Sequence, residues 1–211
     1  MQKARNESLR IFHNDLLEAL THVHPIVPLL FWSPVALILL YRSFAVLDMS
    51  PGAVVLMAPV ALLAWTLTEY LAHRFIFHFE GRNHVTRFLV FLFHGVHHEA
   101  PQDKTRLVMP PAGGVLLMSL FWLFYRELIP APWIEPFFAF FIFSYLGYDY
   151  IHYATHHFRM RNPIGAFLKR YHMEHHFKDS HAHFGVSSPL WDYVFQTYRC
   201  NRTREAPPLG G

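Results

Sequence analysis

Four apolar stretches constrain this chain more than any other feature. They run from about Ile26 to Leu47, Gly52 to Ala72, Leu107 to Leu128 and Trp133 to His152. Each approaches the ~20 residues that a helix needs to cross the hydrocarbon core of a bilayer. A soluble four-helix bundle would need polar outer faces, and the runs FWSPVALILLY and VVLMAPVALLAW offer none. Composition agrees: 53% of the 211 residues are hydrophobic and 16% are charged, against roughly 25% charged in a soluble domain. The expected fold is therefore all-α and membrane-embedded. One domain would cover residues 1–211, with four transmembrane helices at about 26–47, 52–72, 107–128 and 133–152. The length suits a single domain and leaves no room for a fused redox partner.

Charge sets an orientation. The connection between the first two spans holds one basic residue, Arg42, and that between the last two holds one, Arg126. The other sixteen of the 18 Lys and Arg lie in the N-terminal segment, in 73–106 and after the fourth span. This bias places both termini and a cap made of 73–106 and 153–200 on the cytoplasmic side. The opening MQKARNESLRIFHNDLLEAL is charged and lacks the apolar core of a signal peptide. Its Ile11, Leu16, Leu17 and Leu20 fit either the apolar stripe of a helix lying on the membrane or an ordinary solvated lead-in. Pro110-Pro111 followed by Gly113-Gly114 suggests a broken or tilted entry to the third span, and a candidate gate. The tail EAPPLGG reads as a disordered end.

The 17 histidines are the second constraint. His73 and His78 stand in HRFIFH at the exit of the second span; His94, His97 and His98 form HGVHH. His152 and His156 sit in HYATH at the end of the fourth span, and His172, His175 and His176 form HMEHH. Residues at i, i+3 and i+4 share a helix face, so spacing aims each HxxHH triplet at one point. His73 and His78, five apart, differ by about 140° on a regular helix, so the helix must end or distort for both rings to converge. Imidazole is the commonest protein ligand for iron, zinc and copper at neutral pH. Ten such rings in four groups on one membrane face exceed the four ligands of one zinc site, so two metal ions are the economical reading. His84, His157, His181 and His183 fit supporting or surface roles, and His13, His22 and His24 the membrane interface.

Several chemistries are excluded. The single cysteine, Cys200, rules out an internal disulfide framework, a thiolate zinc site and a cysteine-held iron–sulfur cluster. There is no Glu-x-x-His pair of the ferritin-like di-iron design and no HExxH of a zincin. With a net charge of +3 and no Lys/Arg-rich run, nucleic acid is not a partner. On the fourth span, Tyr145, Tyr148 and Asp149 precede His152 by 7, 4 and 3 residues, which turns them toward the same site. They are candidates for orienting a ligand or binding substrate, and equally for stabilising the helix.

HRFIFH, HGVHH, YDYIHYATHH and YHMEHHFKDSHAHFGVSSPLWDYVF, together with the element Arg106-Leu107-Val108-Met109-Pro110-Pro111, resemble the fatty acid hydroxylase superfamily of integral membrane di-metal enzymes. Within it the chain most resembles the fatty acid 2-hydroxylases, over roughly residues 21–198. The resemblance implies one metal held by His73, His78, His94, His98 and His175, and another by His97, His152, His156, His172 and His176. It implies two iron ions in the working enzyme, with zinc able to fill the same nitrogens on purification. It also implies O2 as co-substrate, two electrons from a separate cytochrome b5-like or ferredoxin-like donor, and hydroxylation of the carbon beside the carbonyl of a long-chain acyl lipid. Eukaryotic members often carry a fused cytochrome b5 domain, which is not seen here. That difference, and no evident endoplasmic reticulum retrieval tail, favour a bacterial inner membrane over the endoplasmic reticulum. Basic residues Arg159, Arg161, Lys169 and Arg170 suit an acidic electron carrier or simply reflect the orientation bias. Two competing functions remain open: another lipid oxidase of the superfamily, such as a sterol or alkyl oxidase or a desaturase, and a membrane metal transporter.

Overall fold

The computed structural model describes residues 8–199, and among these all regular structure is helical. A short helix α1 (Asp15–Leu20), capped by the Asn14 side chain, precedes the long α2 (Val27–Ala45) and α3 (Pro51–Ala72). Ser50 caps α3, with Pro51 in the first turn, where a missing N–H costs nothing. Helix α3 runs without a break into a π-helical turn, His73–Phe77. The pieces α4 (His84–Val90), a second π turn at Phe91–Gly95 and α5 (Val96–Glu99) then form one bent rod. Helices α6 (Pro111–Leu128), α7 (Ile134–His157), α8 (Pro163–Phe177) and α9 (Leu190–Val194) follow among the described residues. Cys200 and the EAPPLGG tail lie outside the described residues.

Helix α7 is the axis of the molecule, packed against α2 and α3. Its Phe137, Phe138, Phe141, Ile142 and Tyr145 meet Trp32 and Trp65 in the main core. Trp65 sits edge-on to Phe141 and Tyr145, with centroids 5.2 and 5.4 Å apart, the arrangement that aromatic quadrupoles favour. At the end away from the histidines, Arg42 donates to both oxygens of Glu135 at 2.9 Å, tying the last turn of α2 to the first of α7.

Helix α2 and the rod Pro51–Phe77 are long and apolar enough to cross a membrane. Their outer surfaces expose Leu30, Leu37, Ile38, Val55, Leu56, Leu62 and Leu63, which in water would be an aggregation surface and in lipid is ordinary. Two expected boundaries shift. The helix of the third apolar stretch begins at Pro111, not Leu107: Pro110 stays extended (ψ 141°) because the following proline blocks the helical region. The Pro-Pro pair therefore starts a helix and does not break one. The fourth helix continues past His152 to His157, since polar side chains do not interrupt backbone hydrogen bonding.

Candidate metal centre

The two π turns answer the spacing problem in HRFIFH. His78 N–H donates to His73 O at 3.1 Å, an i→i+5 bond. That wider turn brings residues five apart onto one face. His73 and His78 thus meet at a tilt of 48°, their Nε2 atoms 3.2 Å apart. The second π turn rotates His94 toward the same point, and its Nε2 lies 3.0 Å from that of His73.

Each HxxHH triplet divides, contrary to the expectation that it serves one point. His94 and His98 join one group, with Nε2 atoms 2.9 Å apart, while His97 turns to the other and lies 3.0 Å from His152. On α8, His172 and His176 pair at 3.1 Å, and His175 crosses to His78 at 3.0 Å. Adjacent helical residues point about 100° apart, so His97/His98 and His175/His176 each straddle two centres. Two groups result: His73, His78, His94, His98 and His175; and His97, His152, His156, His172 and His176. These are the same two sets that the family resemblance implies. Within each, one ligand atom per residue lies within 4.8 Å of all the others. His98 and His176 stack between the groups at 4.2 Å.

The donor chemistry fits a metal ion in each group. His73 Nδ1 bonds Phe184 O at 2.5 Å and His175 Nδ1 bonds Ala182 O at 2.7 Å. A carbonyl can only accept, so both Nδ1 atoms carry the proton and both Nε2 atoms present lone pairs inward. Lone pairs gathered about 3 Å apart repel unless a cation sits among them. Metal–nitrogen bonds of about 2.1 Å would hold neighbouring ligand nitrogens on the order of 3 Å apart, the spacing found. Burial, reinforced by neighbouring rings, pushes His78 down to about 3 and His98 to about 2. It carries His175 down to about 4 against the pull of the Ala182 carbonyl. His94, His97, His172 and His176 are lowered for the same reason. Neutral imidazole is the form that binds metal.

A cavity of about 330 Å³ reaches this centre, touching His94 of one group and His97 and His152 of the other. Tyr145, Tyr148 and Asp149 line it beside His152, and Tyr148 stacks on that ring at 5.8 Å. Asp149 adjoins Tyr145, and among the described residues its Oδ2 has no partner within hydrogen-bond distance. Gly113 and Gly114 lie in the wall, and Leu17 and Leu20 of α1, 47% and 64% exposed, border the cavity mouth. Neither group includes any other histidine among the described residues. His84 and His181 are exposed, His22 bonds Arg106, and buried His183 stacks on Tyr171.

The model of the fatty acid hydroxylase family matches residues 58–197. The chain belongs to that family. It is 38% identical over 187 residues to the ceramide very long chain fatty acid hydroxylase SCS7 of Saccharomyces cerevisiae, covering 87% of this chain and 48% of that one. To the dihydroceramide fatty acyl 2-hydroxylase FAH1 of Arabidopsis thaliana it is 34% identical over 195 residues, covering 92% and 81%. The fatty acid 2-hydroxylase of Homo sapiens is 34% identical over 226 residues, with 95% and 58% covered. A solved structure of full-length scs7p, with only its hydroxylase domain visible, superposes with a TM-score of 0.83 at 38% identity, covering 92% of this chain and 73% of that one. The chain thus spans about half the length of the yeast relative. These relatives come from yeast, a plant and a mammal, so the expected bacterial inner membrane finds no support among them.

Three features of the site escaped sequence reasoning. Arg106, quoted above only as part of a family element, is buried and donates to Leu9 O, Glu18, Thr21 and His22. It therefore pins residues 9–22, which form one wall of the cavity. Glu69 and Asp192 are buried carboxylates beneath the first histidine group. Glu69 had a legible signal, as the only charged residue of its apolar stretch.

Proposed function

We propose that this chain is a membrane di-metal oxygenase that hydroxylates carbon 2 of a long acyl chain. The carrying observation is the cavity: its walls are mostly apolar, and its inner end is made of histidines from both groups. An acyl tail held there presents the first carbons of the chain to both centres at once. The acyl group belongs to a ceramide-like lipid, as the names of the yeast and Arabidopsis relatives support.

The ten histidines would hold two iron ions, which when bound supply the activation of O2 that an unactivated C–H bond requires. Zinc would occupy the same nitrogens without redox capacity. The protein's share is position and dryness. Trp65, Met118 and Phe121 confine the tail, while Tyr145, Tyr148 and Asp149 provide the polar groups near His152. Asp149, with an oxygen free of hydrogen bonds, accepts from the N–H or O–H of the lipid headgroup once carbon 2 is in place.

The membrane arrangement extends the two apolar helices to four spans. Helix α6 exposes Val115, Leu116, Leu120, Leu123 and Phe124, which supports lipid contact, and α7 is enclosed by its neighbours. The cap and both termini face the cytoplasm, in keeping with the basic bias. A separate carrier supplies the two electrons, docking near Arg159, Arg161 and Arg170, whose side chains are exposed. Lys169 is less available, since it donates to Thr155 O and Phe158 O at the end of α7.

The test is expression in a host without 2-hydroxy lipids, followed by mass spectrometry of total lipids grown in air and under nitrogen. A 2-hydroxy acyl product that needs O2 is expected. Double bonds or sterol oxidation instead would redirect the assignment within the family. Metal flux into vesicles without O2 consumption would remove it.

A further inference from the structure

The segment from Ala182 to Ser188 passes directly beneath the first histidine group, and no helix or strand holds it. It nonetheless supplies both backbone acceptors that orient that group: Ala182 O for His175 and Phe184 O for His73. Its position must be fixed from the other side. Two carboxylates do this.

Asp192, wholly buried on α9, accepts from Phe184 N–H at 2.9 Å, Gly185 N–H at 2.7 Å and Thr197 Oγ1 at 2.7 Å. Glu69, 5% exposed on α3, accepts from Val186 N–H at 2.5 Å, Ser187 N–H at 2.9 Å and the Ser187 hydroxyl. Four consecutive amides are thus taken up by two side chains from separate helices. Charged acceptors make the stronger class of hydrogen bond. The fit is close enough to demand glycine at 185, where a Cβ would fall 2.1 Å from Ser188 O. Among the described residues, three rings of the second histidine group show no such support: Nδ1 of His156, His172 and His176 is buried without a hydrogen bond.

We infer that Asp192 and Glu69 are positioning residues for the first metal group alone, acting through the 182–187 strap on His73 and His175. The inference rests on the reading that the two groups bind metal. Ligand orientation through the outer ring nitrogen is worth typically 10–100-fold in metal affinity. The two centres should then respond differently to loss of the clamp.

Zinc affinity, measured on the purified full chain by competition with a chelator, separates the cases. In a His172→Ala chain only the first group is complete, and in a His175→Ala chain only the second. Asp192→Asn or Glu69→Gln should weaken zinc 10–100-fold in the first background and change it less than twofold in the second. Thr197→Val and Ser187→Ala each remove a single bond to the clamp, and should give a smaller loss with the same selectivity. These milder changes carry the test if the carboxylate variants do not fold. Equal weakening in both backgrounds, or none in the first, overturns the inference. A wild-type chain that binds no zinc overturns the metal reading beneath it, and that measurement is made before any clamp variant.

Discussion

Replacing Arg106 with Met removes the pin that holds the N-terminal segment against the cavity. The Arg106 side chain is 3% exposed and Glu18 is 14% exposed, so the pair is largely desolvated. Breaking a buried pair by deleting one partner costs about 3–5 kcal/mol, because the other charge stays behind without compensation. Arg106 also serves Leu9 O, Thr21 Oγ1 and His22 Nε2, while Glu18 keeps its bonds from Ile11 and Phe12 N–H at 2.9 Å. The loss should therefore be confined to residues 9–22 and the cavity mouth. Hydrogen exchange in detergent micelles should show those amides opening at least a hundredfold more often, since about 2.7 kcal/mol corresponds to that factor. A cycle with Glu18→Gln sharpens the test. Once Glu18 is neutral, Arg106→Met no longer strands a charge, so the double variant should fall short of the summed single losses by about 0.5–3 kcal/mol. Additive losses, or unchanged exchange at residues 9–22 in Arg106→Met, would refute the role assigned to this ion pair. Burial favours the neutral carboxyl at Glu18, but the Phe12 and Ile11 amides and Arg106 outweigh it and hold the group at about 2. The pinning is thus complete above Glu18's ordinary value of 4.5 and is lost as pH falls through about 2.

Three further outcomes follow from the same geometry. Phe141, with no exposure and ring contacts to Trp65, Phe137 and Phe138, should cost about 3–5 kcal/mol when cut to Ala, read as a lower thermal midpoint. Metal-free protein should lose stability as pH falls below the ordinary histidine value of 6.5, because His78, His98 and His175 stay neutral down to about 3, 2 and 4 while the unfolded chain takes up protons. The slope is about 1.4 kcal/mol per pH unit for each such ring, and a flat melting profile between pH 6.5 and 5 would contradict it. Asp149→Ala should leave zinc content at the wild-type level and lower lipid turnover, since the carboxylate lines the cavity outside both histidine groups; unchanged turnover would deny it a part in the reaction.

Sequence alone determined the material of this protein. Continuous apolar runs allow only helices whose backbone is satisfied within the segment, so α2, α3, α6 and α7 were legible to within a few residues. The four histidine groups were legible too, because side-chain chemistry and short-range spacing are written along the chain. Local sequence also showed that HRFIFH needs a distorted turn, though not that the distortion would be a π turn. Tertiary structure decided which imidazole serves which centre. His97 and His98 are neighbours in sequence but face different sides of a helix whose rotation is set by the preceding π turn and by packing against α7 and α8. It also decided the roles of Arg106, Glu69 and Asp192, whose partners lie 84 to 97, 117 to 118, and 5 to 8 residues away. A buried charge is stable only where backbone and side-chain groups converge on it, and no periodicity along the chain records that convergence.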